Sequence, residues 1–176
     1  MRPKHISVEG EFYFLTTHCA FGTKPFEERQ GSLAFMDIFK EKHDKFNLRL
    51  FAYVIMPNHV HILLQLPENV DISNLMNHIN GASSRRVNSV LNDRYENIWQ
   101  GGFHDEIIRS ATDFGNKVNY VHENPVSKNL VEKAIDYEFS SARFYSKAFG
   151  EPHLDMDGFD DFALDALLES FHSVLD

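Results

Sequence analysis

A single cysteine, Cys19, stands among the 176 residues. No intrachain disulfide can form, and a zinc site built on thiolates is excluded. No apolar run approaches the roughly 18 residues that a membrane-spanning helix requires. The opening Met1-Arg2-Pro3-Lys4-His5 is followed by no apolar h-region, so a soluble, cytoplasmic protein is expected. Internal repeats and low-complexity stretches are also missing. So is the excess of positive charge that marks many nucleic-acid binders: the net charge is −9.

That last absence is misleading. Residues 151–176 carry eight of the 26 acids and no Lys or Arg, leaving 18 acids against 17 bases in residues 1–150. A near-neutral body is compatible with a local basic groove. The charge therefore decides neither for nor against nucleic acid.

An apolar share of 43% with 16 Phe residues points to a packed globule, and the length suits one domain with its own core. Residues 11–20 are rich in aromatic and β-branched side chains and predict a strand. Phe35, Ile38, Phe39, Lys42 and Phe46 recur at helical spacing, predicting a helix over 32–46 with Ser32 as its N-cap. Residues 48–56 and 59–66 predict two strands joined at Pro57-Asn58 as a hairpin.

A second helix is expected over 71–91, starting at Asp71 or Ser73, and a fourth strand over 103–109 after Gly101-Gly102. Thr112 would cap a third helix whose core stripe is Phe114, Val118 and Val121. Asn124-Pro125 would end it, because the residue before proline is biased away from the α region. The order β-α-β-β-α-β predicts an α+β, ferredoxin-like split βαβ sandwich: an antiparallel sheet with helices on one face, plus a helical extension.

Residues 1–147 would form this domain. Residues 148–176 would form an acidic linker and an amphipathic C-terminal helix, with Phe159, Phe162, Leu167 and Phe171 on one stripe. That helix would pack on its own domain or dock on a partner. Asp155-Met156-Asp157-Gly158 fails as a calcium loop, since its glycine comes two positions too early and no Glu closes it.

Two constellations carry chemistry. Side chains alternate across a strand, so His59 and His61 share one face while Val60, Ile62 and Leu64 face the core. Such a pair can chelate one divalent ion, although taken alone it is more often a solvated or hydrogen-bonded pair. Downstream, Tyr120 and Asn124 stand i, i+4 on one helix face, which the spacing places opposite the Phe114–Val118–Val121 stripe. They read as a nucleophile beside a metal ligand, or as a surface tyrosine followed by a helix-ending Asn.

Four segments occur together in a fixed order: Ala52-Tyr53-Val54-Ile55-Met56-Pro57-Asn58-His59-Val60-His61-Ile62-Leu63-Leu64, Ile98-Trp99-Gln100, Tyr120-Val121-His122-Glu123-Asn124-Pro125-Val126 and Tyr137-Glu138-Phe139-Ser140-Ser141-Ala142. In this combination residues 10–147 resemble the REP-associated tyrosine transposases, the transposase-like, single-tyrosine branch of the HUH endonuclease superfamily.

The resemblance implies a ferredoxin-like fold and Mg²⁺- or Mn²⁺-dependent cutting and rejoining of single-stranded DNA near hairpins. It implies that His59 and His61 bind the metal, that Tyr120 is the nucleophile forming a 5′-phosphotyrosine intermediate, and that Asn124 is the third ligand. Relatives place the tyrosine in its own subunit or across a homodimer, so both arrangements stay open.

Two alternatives also stay open: a non-cleaving DNA-hairpin binder of the same fold, and a phosphohydrolase unrelated to DNA. Arg85, Arg86, Lys117, Lys128 and Arg143 are candidate phosphate contacts, or members of a solvated charged face. Trp99 and Phe103 would stack on a base or fill the core. His104 and Asp105 are candidates to assist at the site, and His18 reads as structural.

Overall fold

The computed structural model describes residues 10–92, 94–146 and 156. Four strands, β1 (Phe12–His18), β2 (Arg49–Met56), β3 (His59–Gln65) and β4 (His104–Ile108), form one sheet. Its order is β2-β3-β1-β4, and every neighbouring pair is antiparallel. Between them run helices α1 (Arg29–Phe46), α2 (Ile72–Val90) and α3 (Ala111–Ser127). A 3-10 turn (Ala134–Asp136) and a short helix α4 (Ala142–Ser146) follow. This is the split βαβ arrangement that the element order predicts.

Strand alternation divides the core into two layers. Tyr13 and Leu15 of β1, Tyr53 and Ile55 of β2, and Val60, Ile62 and Leu64 of β3 meet Phe35 and Phe39 of α1 and Leu75 and Ile79 of α2. Phe14, Val54, Met56 and Leu63 point the other way and pack against Phe114, Val118 and Val121 of α3. So α1 and α2 share one face, as expected, while α3 covers the other. The sheet is sandwiched, and the histidine face of β3 lies under α3.

Three local expectations are corrected. The first helix starts at Arg29 with Glu28 as N-cap; Ser32 lies inside it, its hydroxyl donating to the Phe26 carbonyl at 3.1 Å. The third helix is capped by Ser110, whose side chain accepts from the Asp113 N–H, and not by Thr112. Nor does it end at Asn124-Pro125. Asn124 and Pro125 are both buried against the body of the protein, and the helix continues to Ser127.

Proline removes one intrahelical N–H but leaves its carbonyl usable. The Pro125 carbonyl accepts from Leu130 and that of Val126 from Asn129. Asn129 takes the left-handed conformation (φ 55°), completing a Schellman ending. The second helix begins as predicted, with the Asp71 side chain accepting from the Asn74 N–H.

The segment after α3 returns to the sheet edge. Ile55 N donates to the Phe139 carbonyl at 2.9 Å and Ser141 N to the Tyr53 carbonyl at 3.0 Å, while Tyr137 Oη donates to the Ile55 carbonyl. The motif Tyr137–Ala142 thus covers edge strand β2, which would otherwise expose unpaired backbone groups. The predicted linker and C-terminal helix at 148–176 lie outside the described residues, apart from Met156.

Candidate functional site

The antiparallel register of β1 and β3 sets His61 opposite Thr16 and His59 opposite His18. Side chains on such pairs face the same side of the sheet and touch. His61 Nδ1 is 2.8 Å from Thr16 Oγ1, and its ring stacks on Phe14 at 5.3 Å between centroids. His59 Nδ1 is 2.8 Å from Asn58 Oδ1. The two imidazole centroids lie 4.7 Å apart, and the His18 ring lies 5.4 Å from that of His59.

From the other side α3 brings Tyr120 and Asn124. The Asn124 amide nitrogen is 3.3 Å from His61 Nε2. The Tyr120 ring centroid lies 5.2 Å from that of His61 and 5.8 Å from that of Phe14. The two residues differ in exposure: Tyr120 is 51% exposed, Asn124 only 5%.

The expectation that both stand opposite the core stripe is therefore corrected. At about 100° per residue, Asn124 is only some 60° round the helix from Val121. It flanks the stripe on the sheet side, and Tyr120 sits at the rim.

The hydrogen bonds fix both imidazole tautomers. Asn58 Oδ1 can only accept, so His59 carries its proton on Nδ1. The Asn124 amide donates to His61 Nε2, so His61 carries its proton on Nδ1, towards Thr16. Each ring is left with an Nε2 lone pair. Burial, reinforced by the neighbouring histidines, pushes His59 down to about 4 and His61 down to about 3, so both are neutral at pH 7. Neutral, oriented imidazoles are what a divalent ion requires.

No group of three or more His, Cys, Asp or Glu able to hold a metal occurs among the described residues. A third protein donor here would have to be the Asn124 amide. Its Oδ1 is buried without a hydrogen-bond partner. A buried acceptor left unpaired is costly, and a cation shared with the two Nε2 atoms would satisfy it once the amide rotates. The donor set, two imidazoles and an amide oxygen, suits a borderline-to-hard divalent ion and leaves open positions for phosphate.

The basic candidates separate. Lys117, one turn before Tyr120, binds Glu106 at 2.6 Å and lies 4.6 Å over the Phe14 ring, beside the site. Lys128 caps α3 and is close enough to bear on the charge of His59. Arg85 and Arg86 stand on α2, across the sheet from the histidines, and Arg86 lies 3.9 Å from Asp37 of α1. Arg143 donates to the carbonyls of Ile135 and Asp136.

Trp99 packs against Phe26 and Phe35 and donates to Ser83 Oγ, and Phe103 packs against the same cluster, so both serve the core. His104 lies 6.2 Å from His18 between ring centroids.

Sequence reasoning missed Thr16, Asn58 and the closeness of His18 to His59. Parity along β1 puts Phe14, Thr16 and His18 on one face, but only the strand register reveals which partners they meet.

The family model for IS200-like transposases matches residues 15–124. The chain is 27% identical over 135 residues to the REP-associated tyrosine transposase of Escherichia coli, covering 76% of this chain and 78% of that one. A Haemophilus influenzae protein provisionally named a REP-associated tyrosine transposase is 28% identical over 166 residues, covering 85% and 94%. Among solved structures, a REP-associated tyrosine transposase bound to a REP hairpin shares the fold, with a TM-score of 0.69, 21% identity and coverage of 93% of this chain and 95% of that one. With the match running from within β1 through β4 and reaching Asn124, this chain belongs to the IS200-like transposase family.

Proposed function

We propose that the protein cuts and rejoins single-stranded DNA with Tyr120 as nucleophile, aided by Mg²⁺ or Mn²⁺ held by His59, His61 and Asn124. The observation that carries the reading is their convergence. Two oriented Nε2 lone pairs, an unpartnered buried amide oxygen and an exposed phenol meet in one patch, from β3 and α3. A divalent ion bound there supplies Lewis-acid neutralisation of charge on a phosphate.

The remaining work falls to the chain itself. Thr16 and Asn58 hold the imidazoles in the ligating tautomer. Helix α3, packed through Phe114, Val118 and Val121, fixes the hydroxyl of Tyr120 at the rim, so that much of the rate comes from positioning. Tyr120 Oη gives up its proton and attacks phosphorus. The bond from phosphorus to the 3′ oxygen breaks, and that oxygen leaves with a proton as a free 3′-OH. The 5′ end stays on Tyr120 as a phosphodiester, so a DNA 3′-OH can later attack it, release the phenol and join strands. Lys117 and Lys128 would pair with flanking phosphates.

DNA that carries a hairpin with single-stranded arms, incubated with protein and Mn²⁺, tests this. A covalent adduct should appear on a denaturing gel and vanish with EDTA. Tyr120→Phe should abolish the adduct while single-strand binding survives. An adduct formed by the Phe variant would remove Tyr120 from the mechanism.

A further inference from the structure

Next to His59, the turn after β1 borders a pocket of about 250 Å³. His18, Phe21, Lys24, Asn58 and Gln100 are among its walls. Two of these also belong to the histidine patch: Asn58 holds His59 Nδ1, and the His18 ring lies against that of His59. The pocket and the candidate metal site therefore share a wall.

The turn itself is stiff. Thr23 N and Oγ1 both donate to the Ala20 carbonyl, at 3.0 and 2.7 Å. Gly22 occupies the third turn position with φ 77°, as a type II turn requires. Phe21 is thereby carried at the second position, 99% exposed, a ring that contributes nothing to the core. A solvated aromatic carried on a hydrogen-bonded turn at the mouth of a partly polar pocket suits the face of an unpaired base, which stacks on such rings with little regard to sequence. Lys24, in an exposed pair with Glu27, adds a cation at the rim, and Gln100 adds an amide on the wall.

We propose that this pocket is a base-binding subsite: a nucleotide adjoining the scissile phosphate leaves the stack and lies on Phe21. The proposal rests on the DNA-strand reading above. With the phosphate at His59, the neighbouring nucleotide is carried over the shared wall of His18 and Asn58.

Full-length protein is titrated with fluorescein-labelled (dT)20 and read by anisotropy, for wild type, Phe21→Ala and Phe21→Trp. Because Phe21 packs on nothing, circular dichroism should show every variant folded. Phe21→Ala should weaken binding about 5- to 150-fold, the range for loss of one stacked base. Phe21→Trp should hold wild-type affinity, and its emission should be quenched as DNA is added, against the internal Trp99 signal of wild type. If wild type binds and Phe21→Ala binds as well, the subsite is wrong and the strand-transferase reading stands. If wild type binds neither this strand nor a hairpin with single-stranded arms, the functional reading itself falls, and the subsite with it.

Discussion

The side chains of Asn124 and His61, 63 positions apart in sequence, meet with the amide nitrogen 3.3 Å from Nε2 and the amide oxygen buried without a partner. That contact ties α3 to β3 and makes one site of two motifs. By calorimetric titration with Mn²⁺, His61→Ala should abolish binding, and Asn124→Ala should weaken it about 10- to 100-fold. Unchanged affinity in Asn124→Ala would remove the amide from the ligand set.

Thr16 holds His61 by its Nδ1, at 2.8 Å, without facing the metal side of the ring. Thr16→Val keeps the shape and loses the hydroxyl. Its expected signature is weaker Mn²⁺ binding, by about tenfold, at a stability cost of about 1 kcal/mol in urea unfolding. An equal loss of stability with no change in metal affinity would mean that the hydroxyl only packs.

His122 is buried behind the site, its Nε2 2.9 Å from Ser141 Oγ, and Ser141 in turn accepts from the Tyr53 N–H. Burial pushes His122 down to about 3, whereas an unfolded histidine titrates near 6.5. Between those values the unfolded chain binds a proton that the folded chain does not. Stability is therefore complete above about pH 6.5 and is lost as the pH falls towards 3. Between pH 7 and pH 5 one such histidine costs about 2 kcal/mol. His122→Asn, which cannot titrate, should show a drop in unfolding free energy smaller by that amount. An identical drop would contradict the assignment.

Arg85 and Arg86 lie on the layer opposite the histidines. The double variant Arg85→Ala/Arg86→Ala should form covalent adducts at the wild-type rate, whereas Lys117→Ala should bind DNA more weakly with a shallower salt dependence. Loss of adduct in the arginine pair would mean that the strand wraps both faces of the sheet.

Much of this was legible in the sequence because periodicity reports faces. Alternation along β3 separated His59 and His61 from Val60, Ile62 and Leu64, and the element order gave the split βαβ arrangement. What was not legible depended on tertiary context. The bias against helix before proline lost to the burial of Asn124 and Pro125 and to the carbonyl bonds of the Schellman ending. Thr16, Asn58 and His18 carry no local mark, since their relevance comes from register and turn geometry. Arg85, Arg86 and Lys117 are alike as basic residues on helices, and only the sheet, which lies between α2 and the histidines, separates them.

Peptide mapping of the trapped adduct reaches the central claim most directly. Protein is incubated with Mn²⁺ and hairpin-bearing single-stranded DNA, digested with nuclease and trypsin, and analysed by mass spectrometry. The account predicts a nucleotide remnant on Tyr120 and a free 3′-OH on the released strand. A remnant on any other residue, or a 3′-phosphate on the released strand, would contradict it.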